Sequence, residues 1–272
     1  MAGSSKSSHS ERIVIILFLL LSGWWVFLQF TGQSGDLQNQ LFGGTYGIIA
    51  LFGAILGMKN AKEWGGFKSY VGRSMLMFAF GLLLQEFGQL TYWYYIFFKH
   101  IDVPYPSIGD IGYFGSIPFY VYGVILLGRS AGVKYTLQSL GAKILALLIP
   151  VGMLAFSYVI FLRGYTFDWS HPLTIFLDFG YPFGEAIYIS LAIVAYLFSL
   201  KVLGGVMKYR VLIILLALFI QYLCDFTFLY QAQQQTWVAG GVNDFMYLIS
   251  YFVMTVGLIQ MDGKKIKKIL ES

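Results

Sequence analysis

Charge is scarce in this sequence. Only 11% of its 272 residues are Asp, Glu, Lys or Arg, against about one quarter in a soluble domain. There is one cysteine, Cys224, and it sits in an apolar run, so no disulfide can form within the chain. Histidine is nearly as rare: His9, His100 and His171 all fall outside the long apolar stretches. That disfavours an intramembrane zinc hydrolase, whose metal needs several ligands converging within the bundle. His100 and His171 lie near Asp102 and Asp168 in loops and read as solvated side chains rather than metal ligands. No lysine falls in the last three apolar stretches, which excludes a retinal Schiff base on the usual helix. No glycine-rich phosphate loop follows a strand. No Ser–His or Cys–His pair shares a depth that would allow nucleophilic catalysis.

What the sequence has in excess is apolar and aromatic surface, with 58% hydrophobic residues, 19% aromatic and a mean hydropathy of +0.70. That is the composition of an all-α integral membrane protein. Eight spanning stretches are predicted, at about 13–30, 41–58, 70–98, 108–128, 142–162, 172–200, 209–230 and 242–261, with bends at Pro150 and near Pro182. The first has the charged lead of a signal peptide but no small-residue cleavage site before Asp36, so it is expected to be retained.

The basic residues orient these spans. Sixteen of the 18 Lys and Arg fall at the N-terminus, in alternate loops and in the tail; the opposite loops carry only Lys99 and Arg163. Both termini are therefore expected in the cytoplasm, with the chain in the cell (inner) membrane. The net charge of +5 reads as topology, so the expected partner is the lipid bilayer and not nucleic acid. The polar segment 1–12 precedes the first span. The basic segment 262–272 reads as a short amphipathic end on the inner surface.

The chain also folds onto itself as a sequence. Gln85, Gln89, Thr91 and Tyr94 recur as Gln221, Asp225, Thr227 and Tyr230, within the pattern Q-x-x-x-[Q/D]-[L/F]-T-[Y/F]-x-Y. Each copy is followed by a loop and an Asp-x-x-Tyr helix, Asp110–Tyr113 and Asp244–Tyr247, and Tyr46 aligns with Tyr181. Residues 13–130 and 131–261 are thus expected to form two four-helix repeats running in parallel.

Six carboxylates lie within or at the ends of spans: Glu86, Asp110, Asp178, Glu185, Asp225 and Asp244. No Lys or Arg lies at comparable depth. A carboxylate at a helix centre costs at least ~2.5–3.5 kcal/mol unless it is paired, protonated or hydrated. Some have structural readings. Ser107 and Asp110 form a capping box after Pro104 and Pro106, Asp244 opens a helix, Asp225 could snorkel, and Glu86 could bond a tyrosine. Asp178, Tyr181, Pro182 and Glu185 share one helical face and read as a lining. Glu86 and Glu185 fall near mid-membrane and are expected to meet at the central axis.

The segment Gln85–Arg129, with its P-S-x-x-D-x-x-Y helix start, resembles the multi-span sensory region of many bacterial GGDEF diguanylate cyclases. Asp178–Pro182 and Asp244–Tyr247 continue the likeness. Two departures stand out: Gln89 replaces the usual Asp, and the sequence stops where the linker and cyclase would begin. The resemblance implies a membrane input module that senses something from outside and signals to a separate cytoplasmic or membrane partner. The expected ligand site is an outward-facing acidic and aromatic pocket formed by Glu86, Gln89, Asp110, Tyr113, Asp178, Tyr181, Glu185, Asp225, Asp244 and Tyr247. Its ligand would be a cation, an amine or a small apolar molecule; the residues name no cofactor. The alternative reading is a transporter or cation channel with midplane carboxylates. An intramembrane enzyme lacks a nucleophile or metal set.

Overall fold

The computed structural model describes residues 9–31, 37–200, 205–263 and 266. Among them every regular element is helical. The helices are α1 (His9–Thr31), α2 (Leu37–Thr45), α3 (Ile48–Glu63), α4 (Tyr70–Trp93), α5 (Gly109–Ser130), α6 (Val133–Thr136), α7 (Leu140–Ser157), α8 (Pro172–Ser199), α9 (Gly205–Gln233) and α10 (Val242–Gln260). Wider π turns extend α4 through Tyr94–Lys99 and α7 through Tyr158–Leu162. Of the expected tail 262–272, all but Asp262, Gly263 and Ile266 lie outside the described residues, as does the segment 1–8.

Local chemistry sets the helix ends. Ser69 and Ser139 hold extended backbone and cap α4 and α7, accepting from the Gly72 amide at 2.9 Å and the Ala142 amide at 3.3 Å. Pro172 starts α8, where a missing N–H costs nothing. The last carbonyls of α10 are taken by Asn60 (3.0 Å to Leu258), Trp64 (2.6 Å to Met261) and Arg210 (2.6 Å to Gln260).

Seven helical stretches are long and apolar enough to cross a membrane, namely 9–31, 37–63, 109–130, 140–162, 172–199, 207–233 and 242–260. By length and composition the chain is a multi-pass membrane protein. Helix α4, read from the sequence as the third span, is long enough but is not one of the seven, because Arg73, Gln85, Glu86 and Gln89 dilute its apolar run. The second span is not one helix. It breaks at Tyr46–Gly47 between α2 and α3, beside Gly43, Gly44 and Gly47, residues with little helix preference.

Six helices close a ring. Helix α3 packs on α4, α4 on α5, α5 on α8, α8 on α9, α9 on α10, and α10 back on α3. Helices α1 and α7 lie outside it, with only 17% and 6% of their apolar windows buried. The α4–α5 seam is built on glycine: Gly81 and Gly88 face the rings of Tyr120 and Tyr113, Gly123 faces Phe78, and Gly112 faces the backbone of Leu84 and Gly88. Small residues of this kind let helix backbones approach closely where lipid is no less apolar than leucine. One half of the ring's interior is filled by Phe78, Leu82, Val124, Leu127, Ile214, Leu218 and Leu258, each at most 1% exposed. The other half is hollow.

Candidate functional site

The hollow half holds a cavity of about 880 Å³. Five of the six ring helices, α4, α5, α8, α9 and α10, contribute to it, together with Gln40 and Gly43 of α2, Tyr46 at the α2–α3 break, and the loops 100–108, 163–171 and 234–241 at one end of the bundle. Nine of the ten residues singled out from the sequence line it: Gln89 on α4, Asp110 and Tyr113 on α5, Asp178, Tyr181 and Glu185 on α8, Asp225 on α9, and Asp244 and Tyr247 on α10. The spacing that puts Asp178, Tyr181, Pro182 and Glu185 on one face of α8 turns that whole face inward. The deepest wall is formed by Gln85, Tyr120, Tyr188 and Tyr251.

Tyrosine hydroxyls hold the carboxylates in place. At the loop end Asp178 accepts from Tyr105 at 2.8 Å and Tyr165 at 2.7 Å, each arriving from a different loop. Asp110 accepts from Tyr181 at 2.7 Å, and its second oxygen takes the Ser107 amide at 2.6 Å. That is the reach-back expected of a capping box, although the Ser107 hydroxyl accepts from Gly109. Asp244 accepts from the Gly240 amide at 2.7 Å. Deeper in, Asp225 accepts from three donors, Tyr188 at 2.9 Å, Tyr247 at 2.8 Å and Gln221 at 2.9 Å. Gln89 takes the place of a carboxylate: its Oε1 accepts from Tyr113 while its Nε2 donates to the Gly43 carbonyl at 2.6 Å.

The bonds fall in matched sets. Tyr113 meets Gln89 as Tyr247 meets Asp225, and Ser116 meets Gln85 as Ser250 meets Gln221, both at 2.8 Å.

Two carboxylates behave differently from the rest. Glu86 does not line the cavity. It lies against Gly47 and Gln89, and its Oε2 has no hydrogen-bond partner among the described residues. The expected meeting of Glu86 with Glu185 does not form, and the charged neighbour of Glu185 is Asp225. The cause is helical rotation: one residue turns about 100° around the axis, so Gln85 and Gln89 face inward while Glu86 faces α3. Glu185 does line the cavity. It is only 4% exposed and has no hydrogen-bond partner among the described residues.

Sequence reasoning missed Tyr105 and Tyr165, which only the fold brings to Asp178, and Tyr120, Tyr188 and Tyr251 in the deep wall. The last three carried a signal, since each follows a named residue by three, four or seven positions. Outside the spans, the hydrogen bond to Asp178 pushes the Tyr165 hydroxyl up to about 12 from an ordinary 10.0.

No protein-family model, curated protein or solved structure matches this chain. Functional chemistry must therefore be read from the cavity itself. Its lining contains six carboxylates, counting Asp102 at the mouth, and ten tyrosines. Among the described residues it contains no Lys, Arg or His. Tyrosines that donate to carboxylates leave their oxygen lone pairs free, so the wall presents acceptors and ring faces. Both attract positive charge. Among the described residues no three His, Cys, Asp or Glu side chains are grouped to hold a metal ion.

Proposed function

We propose that this chain is a membrane sensory module that takes a small cationic ligand from outside the cell into the acidic and aromatic cavity. In this reading the bundle has eight spans, α4 included, arranged as two four-helix repeats with both termini in the cytoplasm of the cell membrane. The matched hydrogen bonds and the six-helix ring support the repeat. The resemblance to cyclase-linked input regions supports sensing, with output passing to a separate partner.

The observation that carries the reading is the lining itself, six carboxylates and ten tyrosines without a basic residue among those described. A cavity of about 880 Å³ falls within the ~300–1,000 Å³ typical of small-molecule sites. The alternative, a transporter or cation channel, needs a polar path beyond the cavity. The packed half of the ring, from Phe78 and Leu82 to Ile214 and Leu218, supplies apolar side chains at most 1% exposed instead, which favours sensing.

The test uses the full chain in lipid nanodiscs and a panel of organic cations beside anions and neutral molecules of matched size. Cations are expected to raise the melting temperature saturably and anions are not. Equal response to anions, or none to any cation, refutes the reading. Cation uptake into proteoliposomes would replace it with transport.

A further inference from the structure

Resting on the cationic-ligand reading above, we infer that Glu185 is the counter-ion for the ammonium group of a primary or secondary aralkyl amine, bound amine-first in the depth of the cavity. Asp110, Asp178, Asp225 and Asp244 all have protein donors, and Asp225 has three. Glu185 has none among the described residues, although it is more buried than Asp110, Asp178 and Asp225 and lines the same space. A buried carboxylate without donors is costly, and a ligand bound in the cavity can supply them.

The chemistry of the gap narrows the ligand. Glu185 needs N–H donors, which a quaternary ammonium cannot give and a primary or secondary ammonium can. Tyr188 and Tyr247 already donate to Asp225 and Tyr251 to the Gln85 amide oxygen, so these hydroxyls offer lone pairs and favour a donor-rich cation over an alcohol. The walls around Glu185 are aromatic. Tyr120 and Tyr188 meet edge to face at 6.0 Å in the deep wall, and Phe161, Phe228 and Trp237 line the upper part. Asp178 and Glu185 lie two turns apart on α8, about 10 Å along the axis. That leaves room for one aromatic ring on a short chain beneath the Tyr105–Asp178–Tyr165 contacts.

The test is calorimetric titration of the full chain in nanodiscs with phenethylamine, phenethyl alcohol and phenethyltrimethylammonium. The amine is expected to bind at least tenfold more tightly than the other two. Glu185→Gln should weaken amine binding tenfold or more, the loss expected for a hydrogen bond to a charged group, while Glu86→Gln, outside the cavity, leaves it unchanged. If Glu185→Gln does not fold, the wild-type preference for the primary over the quaternary amine decides alone. Equal binding of those two, or full affinity in a folded Glu185→Gln, overturns the assignment of Glu185. If phenethylamine fails to bind while another organic cation of the panel stabilises the protein, the inference fails and the cationic reading survives. If no cation binds, both fall.

Discussion

Gly112→Ala should be among the most damaging single-methyl changes in this protein. A Cβ at Gly112 would stand 2.8 Å from the Gly88 amide nitrogen, 3.0 Å from Phe87 Cδ1, and closer still to the Leu84 carbonyl oxygen. Ordinary contact begins near 3.4 Å, so helices α4 and α5 must separate by 3.4 minus 2.8, or about 0.6 Å, at the least. The opposing atoms are mostly backbone and cannot rotate away, which places the cost at the upper end of the ~1–3 kcal/mol seen for overpacking. The gain in helix preference from Gly to Ala offsets at most ~1 kcal/mol. The net expectation is a loss of about 2 kcal/mol, read as an earlier midpoint in SDS unfolding from mixed micelles. Gly115→Ala, one turn away, is the control: its Cβ meets only Leu84 Cδ1 at 3.7 Å and should be neutral or mildly stabilising. The same seam sets the Tyr113–Gln89 and Ser116–Gln85 bonds, so Gly112→Ala should also weaken ligand binding. Equal midpoints for the two variants would refute the close-packed seam.

Three further outcomes follow from particular contacts. The folded state holds the Tyr165 proton more tightly than the unfolded chain, so this contribution to stability is complete below pH 10 and lost as pH rises toward about 12; Tyr165→Phe should flatten stability across that window, and an unchanged slope counts against the Asp178 contact. Glu86→Gln removes a buried carboxylate whose Oε2 lacks a partner among the described residues, and should raise the melting temperature or leave it unchanged; a clear fall would show that Glu86 is held by something else. A reporter fused after residue 272 should read cytoplasmic and one within residues 234–241 external; the reverse sinks the proposed orientation.

Much of the helical layout was legible because an apolar run of spanning length has few alternatives. The stretches at 142–162, 172–200 and 242–261 match helical segments 140–162, 172–199 and 242–260. The break at Tyr46–Gly47 was not legible, since glycine and tyrosine within an apolar run do not show whether a helix stops. For the site, side-chain period was the informative signal. It placed Asp178, Tyr181 and Glu185 on one inward face. It failed for Glu86 because only the rotation of α4 within the ring decides which of Gln85, Glu86 and Gln89 face the hollow. Tyr105 and Tyr165 carry no local mark at all. They reach Asp178 from two loops, and a contact between residues so distant in the chain is a property of the fold.

The ring is hollow at one end and solid at the other, and under the proposed function that asymmetry would govern traffic. A chamber with a single doorway admits and releases its occupant by the same route, so arrival and departure share one set of obstacles. The tyrosines from loops 100–108 and 163–171 stand at that doorway, joined through one carboxylate. Loosening them would quicken entry and exit together and leave the equilibrium affinity nearly as it was. Changes at the chamber's depth would do the opposite, altering how long an occupant stays and not how fast it comes.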